Sequence, residues 1–193
     1  MKNDIILAGV GGQGILSIAA AIGIAAVNSK LYIKQSEVHG MSQRGGDVQS
    51  HLRISDKPIA SDLIPAGKAD LIISVEPMEG LRYLPFLSAT GWLVTNVNPF
   101  INIPDYPNAN ELLNQIKNVK KHIAIDADAI AKEAGSSRSS NIVMLGAASP
   151  FLDIPFEKIE EGIRQLFGKK GEDVVELNLR ALRMGRAFSE KNR

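Results

Sequence analysis

The sequence predicts an α/β fold, Rossmann-like, in which a mostly parallel sheet carries helices on both faces and the C-terminal third is helical. Three observations predict it. Short runs of Ile, Leu and Val alternate with helical segments, a glycine cluster joins the first strand to the first helix, and little strand pattern follows residue 126. A chain of 193 residues closes a core without a metal or disulfide staple, so one domain over 1–193 is expected.

Each element has its own signal. Asp4 to Gly9 is a short apolar run ending in glycine, the mark of a buried strand. Gln13 to Asn28, rich in Ala and Ile, reads as the first helix. Ile5 to Val27 is long and apolar, but Gly9, Gly11, Gly12, Gly14 and Gly23 punctuate it, which suits strand, turn and helix better than a membrane span. Tyr32 to Ser36 reads as a strand, and Val48 to Ile54 alternates apolar and polar residues as a half-exposed strand does. Ala69 to Val75 is a further buried strand, followed by a helix from Met78 to Leu87 and a strand from Trp92 to Asn96. Prolines between Asn98 and Pro107 mark a loop. Glu111 to Ile116 looks helical, and His122 to Asp126 gives the last strand. The rest reads as helices over 130–134, 141–148, 156–167 and 173–188. In the last of these Val174, Leu177, Ala181, Met184 and Phe188 recur at helical spacing as one apolar face. Arg180, Arg183 and Arg186 fall on its solvated side.

Composition excludes several functions. Apolar residues make up 45% of the chain and charged ones 22%, with a net charge of +1, so no overall field draws it to nucleic acid or an anionic membrane. There is no cysteine, which removes disulfides and the thiolates that hold iron–sulfur clusters. The three histidines, His39, His51 and His122, lack metal-binding spacing. His51 and His122 fall within strand patterns and read as structural. No metal site is expected, and a cytoplasmic location is, since no targeting signal is visible.

Chemistry concentrates in two loops. Gly9-Val10-Gly11-Gly12-Gln13-Gly14 has the G-x-G-x-x-G spacing after a strand and at a helix start, where backbone N–H groups and the helix dipole face an anion. Gly9, Gly11, Gly12, Gln13 and Gly14 are therefore candidate cofactor-binding residues. The same glycines also let a helix pack tightly on a sheet. A nicotinamide cofactor further asks for an acid closing the second strand. Glu37 is the candidate, yet a Gly-rich loop follows it where a crossover helix should begin, and NAD binding is demoted on that ground. That loop gathers Glu37, His39, Gly40, Met41, Gln43, Arg44, Gly45 and Gly46 with few apolar residues, a composition suited to a substrate channel or a partner. Asp126 and Asp128 sit where helix N-caps occur, and Ser136 to Ser140 reads as an ordinary polar loop around Arg138.

Four blocks in order identify a resemblance: G-x-G-G-Q-G at 9–14, E-x-x-G-M-x-Q-R-G-G at 37–46, Ala69 to Glu79, and Asn141 to Ala147. Together they resemble the gamma domain of the pyruvate and 2-oxoacid:ferredoxin oxidoreductases, most closely the small beta subunit of its indolepyruvate branch, over nearly the full chain. The resemblance implies oxidative decarboxylation of aryl 2-oxoacids to acyl-coenzyme A with electrons passing to ferredoxin. Thiamine diphosphate, magnesium and 4Fe-4S clusters are then expected on a large alpha partner, since this chain has neither cysteines nor a Gly-Asp-Gly diphosphate grip. It implies coenzyme A as co-substrate, with the glycine loop accepting one of its anionic groups and Arg44 and His39 beside the substrate channel. The isolated chain is expected to be inactive and able to pair with itself. Two other readings stay open at this point: an NAD(P)-dependent oxidoreductase and a nucleotide-binding regulatory module.

Overall fold

A computed structural model describes residues 1–39, 45–101 and 103–193, with the His39 side chain outside that description. Six strands, β1 Lys2–Val10, β2 Tyr32–His39, β3 Asp47–Ser55, β4 Ala69–Ser74, β5 Leu87–Asn96 and β6 His122–Ile125, form one sheet in the order β2-β3-β1-β4-β5-β6. Strands β1, β4, β5 and β6 pair in parallel. Strand β3 pairs antiparallel with both β1 and β2, so it alone runs against the others and the sheet is mostly parallel, as expected.

Alternation along β1 sets the layers, because successive side chains of a strand point to opposite faces. Ile5 and Leu7 join the core under helices α1 (Ile15–Asn28), α4 (Ala127–Glu133), α5 (Ser140–Ala148), α6 (Phe156–Phe167) and α7 (Glu172–Asn192). Ile6 and Ala8 face a smaller core shared with α2 (Pro77–Arg82), α3 (Ala109–Lys117) and the short 3₁₀ turn Leu84–Phe86. The expected helix over 78–87 breaks early: α2 stops at Arg82, Pro85 lies in the 3₁₀ turn, and Leu87 already starts β5.

Helix α7 buries Val175, Asn178, Leu179, Ala181, Leu182, Gly185 and Ser189, a face turned from the expected one, which leaves Val174, Leu177, Met184 and Phe188 half-buried. Two glycines set that turn. A Cβ at Gly185 would sit 2.1 Å from the Val143 carbonyl oxygen, and one at Gly146 would sit 2.0 Å from that of Leu182. Backbones of α5 and α7 thus cross in contact, and a side chain at either glycine would force them apart. Arg183 pairs with Glu160 at 2.6 Å and Arg186 with Glu190 at 2.8 Å, in keeping with a solvated basic face.

Opposite the carboxyl ends of the parallel strands, the buried Asp4 carboxylate receives Arg53 at 2.8 and 3.0 Å, and Arg53 also donates to the carbonyls of Ser61 and Leu63. The segment 56–68 is held further by His51, whose Nδ1 accepts the Ile64 N–H at 2.9 Å beneath the edge of Phe86. These ties cover β3, and His51 is structural, as read from the sequence. Burial, partly opposed by Asp62, lowers the His51 pKa below its ordinary 6.5. The unfolded chain therefore binds the proton more readily. Stability from this group is complete above 6.5 and falls as pH drops through the lower folded value. Urea denaturation between about pH 7.5 and 5 should show wild-type stability declining with acid. The slope should be shallower in His51→Asn, whose amide oxygen accepts the same N–H without titrating.

Candidate functional site

The carboxyl ends of β1, β4, β5 and β6 meet the start of α1, the usual place for a ligand in an open α/β sheet. The β1–β3 ladder runs to Val10 opposite Asp47 and is extended by Gly11 N–H to the Gly46 carbonyl at 2.8 Å and Gly45 N–H to the Gly11 carbonyl at 3.4 Å. The two loops singled out in the sequence are thereby joined through backbone. Gly40, Met41, Gln43 and Arg44 lie outside the described residues. Glu37 lies at the far end of β2, opposite Ser50 of β3, which itself lies opposite Leu7. Because β3 intervenes, Glu37 stands two strand spacings from β1, about 9–10 Å. A nicotinamide ribose bound at the glycine turn needs its acid on the adjacent strand, so this topology removes the structural basis for that reading.

Within the glycine turn each residue has a separate task. A Cβ at Gly9 would meet Val75 Cγ2 at 2.3 Å, so Gly9 permits close packing of strand ends. Gln13 staples the turn: its Oε1 accepts the Val10 N–H at 2.8 Å and its N–H donates to the Val10 carbonyl at 3.1 Å. Gly12 and Gly14 adopt φ of 100° and 80°, a left-handed backbone that disfavours side chains. Asn141 Nδ2 donates to the Gly14 carbonyl at 3.0 Å and occupies the space a Gly14 Cβ would need. The Asn141 block noticed in the sequence is thus the strut that locks α5 to the start of α1.

Two clefts flank Gln13. A cavity of about 490 Å³ is lined by Gly12, Gly14, Ser17, Ser136, Arg138 and Lys170, with Phe167 and Asn141 in its wall. Two cations, serine hydroxyls and the positive end of α1 make it suited to an anion. Arg138, set aside in the sequence as part of an ordinary loop, and Lys170, not singled out at all, are the cations that line this cleft. Loop composition alone carried no signal for either.

The second cleft, of about 230 Å³, is lined by Gln13, Asn96, Asn98, Phe100, Asp128, Ser140 and Met144. Asn98 Nδ2 donates to Asp126 Oδ1 at 2.7 Å and Asp128 Oδ2 at 2.9 Å, while Asp126 accepts the Ala129 N–H as the N-cap of α4. The N-cap reading holds for Asp126. Asp128 instead lines the cleft.

One buried carboxylate beside this cleft was missed. Glu76 lies two residues beyond β4 and caps α2 through the Glu79 N–H at 2.9 Å, and its other oxygen receives the Phe100 N–H and the Tyr106 hydroxyl. An acid between a buried strand and Pro77 is an N-cap signal that could have found it. Nearby, Glu79 pairs with Arg82 at 2.8 Å, yet burial outweighs the guanidinium and raises its pKa. The Tyr83 hydroxyl donates to Asp47, directly after the Gly45-Gly46 pair, and burial with that carboxylate pushes its pKa up.

Among the described residues no donor set fits a metal or cluster. The sequence has no cysteine, and the described residues hold no group of three His, Cys, Asp or Glu suited to a metal. No helix among the described residues is long and apolar enough to cross a membrane.

Residues 4–188 match the family model described as pyruvate ferredoxin/flavodoxin oxidoreductase. The chain is 38% identical to indolepyruvate oxidoreductase subunit IorB of Archaeoglobus fulgidus, over 96% of this chain and 94% of that protein. It is 36% identical to the subunit of the same name from Thermococcus kodakarensis, over 95% and 94%. Among solved structures, the gamma subunit of a keto/oxoacid ferredoxin oxidoreductase from Geobacter sulfurreducens superposes with a TM-score of 0.73 at 23% identity, over 98% of this chain and 99% of that one. The 2-oxoglutarate:ferredoxin oxidoreductase of Magnetococcus marinus superposes at 0.77 and 24% identity, where this whole chain spans 32% of the longer one.

Asn141→Ala should remove the strut at Gly14 and leave its carbonyl only the Ser17 and Ile18 N–H groups of its own helix. A loss of about 1–2 kcal/mol in denaturant unfolding is expected, with faster hydrogen exchange confined to the starts of α1 and α5.

Proposed function

Because the chain belongs to the pyruvate ferredoxin/flavodoxin oxidoreductase family, we propose that it is the small subunit of an indolepyruvate oxidoreductase, folded as one domain and working in the cytoplasm. The enzyme so formed decarboxylates aryl 2-oxoacids oxidatively, forms acyl-coenzyme A and passes electrons to ferredoxin. The single observation that carries this reading is full-length similarity to four subunits of that name, at 36–38% identity. The donor set supports the division of labour. A chain without thiols or a three-ligand metal group among its described residues leaves thiamine diphosphate, magnesium and 4Fe-4S clusters to a large partner subunit.

The chain's own contribution is to bind and orient. The cleft beside Gly12 and Gly14 takes an anionic group of coenzyme A, with Arg138 and Lys170 supplying charge and the first turn of α1 supplying N–H donors. Gly11 and Gln13 hold the turn in the shape that presents those donors, and Gly9 seats it on the sheet. Glu37, His39, Gly40, Met41, Gln43, Arg44, Gly45 and Gly46 border the partner or the substrate channel.

Kinetics of the assembled two-subunit enzyme test the assignment. Arg138→Ala and Lys170→Ala should each raise the KM for coenzyme A about tenfold, the effect of losing one charged contact, and leave the KM for indolepyruvate and kcat nearly unchanged. An unchanged coenzyme A KM in both variants removes the cleft from the reading. Arg44→Ala with unaltered kinetics and assembly removes the second loop.

A further inference from the structure

We propose that an extended, largely apolar segment of the large subunit adds to β2 as a seventh strand and lays its alternate side chains along α1, an inference that rests on the subunit reading above. The first observation is a helix without charge. From Gln13 to Asn28 no residue is ionisable, and the side of α1 turned away from the sheet carries Leu16, Ala20, Ile24 and Val27, with Ser17 and Asn28 its polar side chains. Leu16 and Val27 are 58% and 61% exposed, and the half-buried Ala20 and Ile24 continue the stripe between them. A helix that carries no charge and shows a row of large apolar residues on its outward side belongs inside an assembly.

The second observation is the shape beside that stripe. An open groove of about 390 Å³ runs between α1 and β2, lined by Ala20, Gly23, Ile24 and Val27 on the helix and by Ile33 and Gln35 on the strand. Strand β2 ends the sheet, with β3 its neighbour on one side and no strand on the other among the described residues. Its outward N–H and C=O groups therefore form a template for pairing, and a strand placed there sends every second side chain into the groove.

A third observation says what the groove asks of its occupant. Asn28 Nδ2, in the groove wall, is out of solvent and has no hydrogen-bond partner among the described residues. It calls for an acceptor, which a backbone carbonyl or polar side chain on the added segment provides.

Two arguments choose the large subunit over a second copy of this chain. Pairing β2 with another β2 would turn Ile33, Gln35 and Glu37 toward α1, one apolar residue in three, and bring a carboxylate against an apolar wall. The stripe also begins at Leu16, in the first turn after the glycine loop. A partner covering the stripe thereby reaches the anion cleft that must open onto its reaction centre.

Co-purification of the full chain with its large subunit, combined with hydrogen exchange, tests the proposal. Val27→Glu, a change at an exposed position that leaves the fold intact by circular dichroism, should weaken the complex at least about tenfold, and the amides of Tyr32–Val38 should become protected when the wild-type complex forms. Unchanged affinity of Val27→Glu, or β2 amides that exchange as fast in the complex as in the free chain, overturns the seventh strand and leaves the subunit reading standing. A wild-type chain that does not bind the large subunit overturns both. A concentration-dependent homodimer of the wild-type chain that Val27→Glu converts to monomer assigns the groove to a second copy and overturns the choice of occupant.

Discussion

The geometry of the candidate site depends on one stretch of backbone pairing, the antiparallel ladder between β1 and β3 that ends in the mutual hydrogen bonds of Gly11 with Gly45 and Gly46. A parallel neighbour would have brought a strand's carboxyl end to that place, whereas β3 brings its amino end, Asp47. The antiparallel one instead delivers the root of the second motif loop onto the glycine turn, although more than thirty residues separate them along the chain. The same insertion moves Glu37 one strand outward and takes away the acid that a nicotinamide ribose would need. One strand direction thus both joins the two motifs and separates this fold from a dinucleotide-binding one.

Around that junction side-chain amides and carboxylates hold the backbone in place. Gln13 and Asn141 spend their amides on backbone groups of the turn, in which Gly12 and Gly14 are left-handed. Glu76 ties the loop bearing Phe100 and Tyr106 to the end of β4. None of these groups is a redox centre. The iron–sulfur chemistry of the family needs thiolates that this sequence does not contain.

Much of this was legible in the sequence, for physical reasons that can be named. Strands β1 and β4 announce themselves because both faces are buried and their centres, Ile5 to Ala8 and Leu71 to Ile73, are apolar without a break. Helix α6 was bounded at 156 and 167, since Pro155 fixes its entry and Gly168 follows its end. The two loops stood out because their composition has no use in a core. What failed had equally local causes. Large apolar residues in α7 suggested one face, but contact at Gly146 and Gly185 turns inward a face that mixes Val175, Leu179 and Leu182 with Asn178, Gly185 and Ser189, and glycine carries no hydrophobic signal. Alternation in β3 suggested a half-exposed strand, whereas His51 and Arg53 pull the segment 56–68 across it. Strand direction leaves no mark on side-chain period, so the pairing of the two loops was invisible. Arg138 and Lys170 come from turns whose composition says nothing of where they point.

The central claim is that this chain completes an enzyme whose reaction centre lies on another polypeptide. Its most direct measurement is reduction of a low-potential electron acceptor by indolepyruvate and coenzyme A, with purified small chain titrated into purified, cofactor-loaded large subunit. The account predicts no turnover by the small chain alone and a rate that climbs with added chain until the two are stoichiometric. Turnover of a 2-oxoacid by the small chain unaided, or a large subunit indifferent to its addition, would contradict it.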